Sequence, residues 1–124
     1  MTDTRNSFVA IVDDDDLMRG ALQGLLNASA LTVRAFASAE EFLNSHDHGH
    51  AACLIADIRM PGMSGLDLQA RLRAEQIRIP TIFITAHGSA RIRTQAMRGG
   101  AVEFFEKPFD DEVLLDSVRA ALAR

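Results

Sequence analysis

Short, continuously apolar runs separated by segments of helical period restrict the fold of this sequence more than any other feature. Five runs read as strands, at residues 8–12, 32–36, 52–56, 80–85 and 101–106. The inner ones, VAIV, CLIA and TIFIT, show no polar alternation, as expected of strands buried on both faces of a parallel sheet. Between them, Leu17, Ala21, Leu22, Leu25 and Leu26 form one helical stripe, and Leu66, Leu68 and Leu72 belong to another. Helix starts are marked by Ser38 with Glu41, by Ser64, by Ser89 and by Asp110. The expectation is one α/β domain of five β/α units, a doubly wound parallel five-stranded sheet covered by helices.

Open sheets of this kind gather ligands at the carboxyl ends of their strands, where the strand order reverses. Asp13 and Asp14 follow the first expected strand, Asp57 follows the third, Thr85 ends the fourth and Lys107 follows the fifth. The run DDDD at 13–16 gains a reason from this placement. Adjacent carboxylates repel, so a dense run faces open water or shares a cation. Asp13 and Asp14 are expected to form half of a cation site completed by Asp57, while Asp15 or Asp16 only starts the first helix. A hard ion such as Mg²⁺ takes oxygen ligands of this type. With a metal draining charge, Asp57 can attack a phosphorus centre and become an aspartyl phosphate. Lys107 and the Thr85 hydroxyl are placed to meet phosphoryl oxygens. Taken singly, each of these residues has an ordinary structural explanation; their convergence on one sheet edge favours the site.

Length and charge narrow the classes further. A chain of 124 residues, 48% of them hydrophobic, makes one domain with a proper core. Its net charge of −4 argues against direct nucleic-acid binding, which needs a basic excess. The single cysteine, Cys53, lies in an apolar run and suits a reducing compartment as a buried hydrophobe. The polar start MTDTRNS has no signal core and no segment is a membrane span, so a soluble, cytoplasmic protein is expected. His46, His48 and His50 fall in one loop without a second ligand pair, which makes a metal site there a poor expectation.

The stretches IVDDDDLMR, LIADIRMPGMSGLDL, IFITAHG and GGAVEFFEKPF resemble the receiver domain of bacterial response regulators, and its FixJ branch most, over essentially the whole chain. The resemblance implies a flavodoxin-like receiver fold with strand order 2-1-3-4-5 and a receiver domain over residues 1–124, with no output domain in this chain. It implies Asp57 as phosphoacceptor, Asp13 and Asp14 as the acidic pair, and the backbone carbonyl of Arg59 as a further ligand for Mg²⁺ or Mn²⁺. Thr85 and Lys107 take the places of the family's hydroxyl and amine, and Phe104 that of its aromatic switch residue. A cis Lys107–Pro108 bond and a partner histidine kinase are also implied. Gly62 stands where many relatives have aspartate, and Phe104 where many have tyrosine, so only apolar burial is left to the aromatic.

Further expectations follow for regulation. Arg59 and His87, each two residues beyond Asp57 and Thr85, flank the path of an attacking water and should set phosphoryl lifetime. Movement of Thr85 toward a phosphoryl group should open space that Phe104 fills. That change would reshape the face of the fourth helix, fifth strand and fifth helix, where Arg91 and Arg98 are expected to meet Asp111, Glu112 and Asp116 of a second copy on phosphorylation, with a transcriptional output. A phosphohydrolase is disfavoured because Arg59 occupies the place where such enzymes keep a general acid. A nucleotide-binding module is disfavoured because no G-x-G-x-x-G follows the first strand. A receiver-like scaffold that is never phosphorylated fits poorly with the intact set of five residues.

Overall fold

The computed structural model describes residues 7–123; most of the polar amino-terminal stretch and Arg124 lie outside the described residues. The elements alternate as β1 (Phe8–Val12), α1 (Asp16–Ala28), β2 (Val33–Phe36), α2 (Ala39–Asn44), β3 (Ala51–Asp57), α3 (Gly65–Ala74), β4 (Thr81–Thr85), α4 (Ala90–Arg98), β5 (Glu103–Glu106) and α5 (Asp111–Leu122). A single turn of 3₁₀ helix at His48–His50 leads into β3. All strand pairs are parallel and the order is β2-β1-β3-β4-β5, as the resemblance implies. The chain runs outward from β1 to β2 and returns to β3, so β1 and β3 are neighbours across the point of reversal. Crevices for ligands open at the carboxyl ends of such a pair.

Alternate side chains of each strand feed two cores. Val9, Ile11, Cys53, Ile55, Ile82 and Ile84 pack with Leu22 and Leu26 of α1 and Leu114, Leu115 and Val118 of α5. Phe8, Ala10, Val12, Leu54, Ala56 and Phe83 pack on the opposite face with Phe42 of α2, Leu68 and Leu72 of α3 and Ala96 of α4. Each fully buried Leu, Ile or Phe contributes about 1.5–3 kcal/mol relative to exposure, which is why the inner strands tolerate no polar alternation. The expected stripe of α1 needs two corrections. Leu22 and Leu26 are buried and Leu25 is partly so, but Ala21 is exposed and Leu17 is 86% exposed. Leu17 lies five residues before Leu22, about 140° around the helix, so Met18 takes the inward place.

Side chains fasten the helix starts. The Asp15 carboxylate accepts from Leu17 N at 3.0 Å, and that of Asp110 accepts from Glu112 N at 2.8 Å. Ser64 and Asp67 form a complete capping box at α3. At α2 the Ser38 hydroxyl accepts from Glu41 N, while the Glu41 carboxylate turns back to Ala37 N, one residue before the cap. Each such cap is worth about 1 kcal/mol, and those of α1 and α3 also fix the direction of loops that carry site residues.

Candidate functional site

The carboxyl ends of β1, β3, β4 and β5 converge on one rim. Asp13, the first residue beyond β1, is tied to the end of β2 by its N–H, which donates to Phe36 O at 3.1 Å. Its side chain is fully buried, accepting from Asp15 N at 2.9 Å. Asp57 closes β3 and is also buried, and its Oδ1 accepts from Arg59 N at 3.3 Å. Asp14 is exposed at the mouth. Ligand atoms of Asp13, Asp14 and Asp57 lie within 4.8 Å of one another, and no other group of three or more His, Cys, Asp or Glu residues does so among the described residues. His46, His48 and His50 therefore form no cluster; His48 instead sets its ring edge against Phe42 and its Nδ1 against Ser45 O.

Lys107 joins the cluster from β5. Its backbone N–H donates to Thr85 O at 2.8 Å, the Lys107–Pro108 bond is cis, and the chain then leaves for α5. Its ammonium stands 3.3 Å from Asp57 Oδ2 and 3.5 Å from Asp13 Oδ2. Burial pushes the Asp13 carboxyl above its ordinary value, and the Asp57 charge adds to this; the Asp15 N–H and Lys107 offset only part. Burial acts against the charged form of Lys107, but the attraction of Asp13 and Asp57 outweighs it and leaves the ammonium harder to deprotonate than usual. Three carboxylates against one ammonium leave the rim short of positive charge. The donors are all oxygens, two are buried and one faces water, which suits a hard divalent cation that keeps part of its hydration shell.

Close backbone packing holds the rim in shape. Gly65 N donates to Ile58 O at 2.8 Å, and a Cβ at position 65 would lie 2.2 Å from the carbonyl oxygen of Asp57. No side chain fits there, so glycine is what lets α3 start directly beside the end of β3. Thr85 is buried at the end of β4, and its Oγ1 accepts from His87 N at 3.3 Å. The side chains of Arg59 and His87 belong to exposed residues on the two loops that border the mouth.

Other expected residues lie differently from the sequence reading. Phe104 is buried to 4% exposure and paired in register with Phe83, so its ring already packs inside. Arg93 on α4 covers it, with Nη1 donating to Phe104 O at 3.3 Å and the guanidinium carbon 5.8 Å from the ring centroid. Because Arg93 faces β5, Arg91, two residues away, points elsewhere. Arg91 and Arg98 line a groove against α3 with Leu66, Ala70 and Arg73, and not the surface toward α5. Two residues escaped the sequence reading altogether. Arg19 reaches back from α1 to Asp13 O at 2.7 Å and also pairs with Asp16. Its spacing from Asp16, three residues along a helix, was the available signal; Arg93 offered none.

Comparison with known proteins agrees with this geometry. The response regulator receiver domain family matches residues 9–119. Over 118 residues the chain is 46% identical to the response regulator protein TodT of Pseudomonas putida and 48% identical to nodulation protein W of Bradyrhizobium diazoefficiens, covering 95% of this chain and 52% of each relative. It thus spans about half the length of the curated relatives it matches. Among solved structures, FixJ-N superposes with a TM-score of 0.86 at 37% identity, covering 100% of this chain and 97% of that one. The response regulator StyR gives 0.85 at 42% identity, over 94% of this chain and 59% of that one. A five-stranded parallel sheet in the order 2-1-3-4-5, an acidic cluster at its reversal point and a family match over nearly its whole length together place this chain in the response regulator receiver domain family, in its FixJ-like branch.

Proposed function

We propose that the domain over residues 1–124 accepts a phosphoryl group on Asp57 from a histidine kinase and relays the change to a transcriptional output in the cytoplasm. The observation that carries this reading is the position of Lys107, 3.3 Å from Asp57 Oδ2 and 3.5 Å from Asp13 Oδ2 at the edge of the carboxylate cluster. A carboxylate held between a fixed ammonium and a cation-binding pair is what nucleophilic attack on phosphorus requires. Asp13, Asp14 and Asp57, with the backbone carbonyl of Arg59, would hold Mg²⁺ or Mn²⁺. The ion, when bound, supplies charge neutralisation for the phosphoryl oxygens.

The chain's own residues do the rest. An oxygen of Asp57 forms the new bond to phosphorus, the bond from phosphorus to the imidazole nitrogen of the donor breaks, and the imidazole leaves with the electron pair. Lys107 exchanges a carboxylate partner for a phosphoryl oxygen. The Thr85 hydroxyl, which receives the His87 N–H at 3.3 Å, donates to another. Arg59 and His87 border the approach of water and so govern how long the phosphoryl group lasts. Both the Lys107 and the Thr85 contacts exist in one state only, which is the condition for biasing a conformational equilibrium.

Transmission follows from β4 to β5 and α4. Since Phe104 is already inside, the coupling we propose works by holding the ring in place under Arg93 and thereby fixing α4 on β5. Met97, 39% exposed and four residues from Arg93, lies on the same side of α4 and offers an apolar contact for a second copy. Phosphorylation then promotes dimerisation through α4, β5 and α5. Sedimentation of the protein with beryllofluoride and Mg²⁺ tests this directly: a monomer-to-dimer shift that Asp57→Asn abolishes is expected, and an unchanged monomer would remove the dimer from the account. Incorporation of phosphate from acetyl phosphate, required by the phosphoacceptor reading and dependent on Mg²⁺, is measured in the same samples by intact mass.

A further inference from the structure

We infer that Glu40, at the start of α2, is a positioning residue for the loop between β3 and α3 that presents Arg59 to the acidic cluster, an inference that rests on the phosphoacceptor reading of that cluster. Both ends of this loop are fastened locally, by Asp57 Oδ1 with Arg59 N at 3.3 Å and by Ile58 O with Gly65 N at 2.8 Å. The exposed stretch through Pro61 and Gly62 has no such local fastening among the described residues. What reaches it comes from 23 residues earlier in the chain: Glu40 Oε2 accepts from Met63 N at 3.1 Å.

A second, independent feature points to the same contact. Gly62 has a positive φ of 75°, and a Cβ at that position would fall 2.6 Å from Glu40 Oε2. The carboxylate thus occupies the volume that any other residue at 62 would need, and glycine and glutamate interlock. Glu40 is itself on a fixed base. The adjacent Glu41 is engaged with Ala37 N, and its own N–H with the Ser38 hydroxyl, so the first turn of α2 is held while Glu40 reaches outward. The loop that carries Arg59 is therefore set by α2 as well as by its own ends, and a change at α2 is transmitted to the cation-binding rim.

Loss of one hydrogen bond of this kind should loosen the loop and weaken Mg²⁺ binding about three- to tenfold. The test is Mg²⁺ titration by calorimetry of the purified protein and of Glu40→Ala, Glu40→Gln, Gly62→Ala and the Glu40→Ala/Gly62→Ala double variant, with amide exchange of Met63 N–H in metal-free protein and urea midpoints for each. Glu40→Ala is expected to weaken Mg²⁺ binding and speed Met63 exchange with little change in midpoint. Glu40→Gln, which keeps an acceptor oxygen, should retain most of the affinity. Gly62→Ala should weaken binding alone and add less in the Glu40→Ala background, where the carboxylate it displaces is already gone and only the strain of a side chain at positive φ remains. Faster Met63 exchange with unchanged Mg²⁺ affinity would overturn the positioning role, and fully additive effects would overturn the interlock. If the wild-type protein itself binds no Mg²⁺, the phosphoacceptor reading fails; Met63 exchange then judges the tether alone, unchanged exchange in Glu40→Ala overturning it.

Discussion

Replacing Lys107 with methionine removes the ammonium that balances two buried carboxylates while preserving most of the side chain's volume. At an effective dielectric of about 20, unit charges at the observed 3.3 and 3.5 Å attract by about 5 kcal/mol each. Desolvation of the ammonium, whose side chain is only 15% exposed, offsets much of that attraction in the native protein. Methionine leaves Asp13 and Asp57 buried beside each other without the cation, and breaking a buried pair in this way costs about 3 kcal/mol net. With a urea slope of about 1.5 kcal/mol/M, the unfolding midpoint in EDTA should fall by about 2 M. Adding Mg²⁺ should raise the midpoint of Lys107→Met more than that of the wild type, because the ion meets a more negative site. Asp14→Asn should move the metal-free midpoint the other way, by about 0.3 M for about 0.5 kcal/mol, since it removes repulsion without removing a contact to the ammonium. The reasoning is refuted if Lys107→Met unfolds at the wild-type midpoint in EDTA.

Three further outcomes are expected. Exchanging Arg59 and His87 for alanine should alter the decay rate of the phosphorylated protein by roughly two- to tenfold, less than the loss of a group that itself transfers a proton, yet leave phosphorylation intact; unchanged decay in the double variant would exclude them as gatekeepers. Cys53 is fully buried and its thiol is pushed up to about 12 by that burial, so labelling by a disulfide reagent at pH 8 should proceed at least about 10³-fold more slowly in buffer than in urea; rapid native labelling would mean that α1 and α5 do not cover the central strand. Gly65→Ala forces a Cβ to 2.2 Å from the Asp57 carbonyl oxygen, a backbone atom that cannot rotate away, and should destabilise the domain by about 2 kcal/mol or more, as thermal unfolding would show; a wild-type transition would contradict the packing described at that junction.

The residues that were legible in the sequence are those whose position follows from being next to a strand end. A parallel sheet forces continuously apolar strands, and Asp13, Asp57, Thr85 and Lys107 each adjoin one, so their convergence followed once the strands were located. Boundaries drifted only slightly, as with β5, expected from residue 101 and observed from Glu103. Where the sequence reading failed, the missing information was angular. Helix periodicity alone did not say that the inward stripe of α1 runs through Met18 and not Leu17, or that Arg93 and not Arg91 faces β5. Contacts between loops were invisible for a different reason. Glu40 meets Met63 only because α2 and the loop before α3 lie side by side on one face of the sheet, and neither residue carries a local pattern that announces the other.

The central claim is that Asp57 carries the phosphoryl group. Treating the protein with acetyl phosphate and Mg²⁺, reducing it with borohydride and mapping its peptides by mass spectrometry tests this, because an acyl phosphate on aspartate is reduced to homoserine. The account predicts homoserine in place of Asp57, in wild-type protein only when Mg²⁺ is present. Homoserine in place of Asp13 or Asp14, or none at any position, would contradict it.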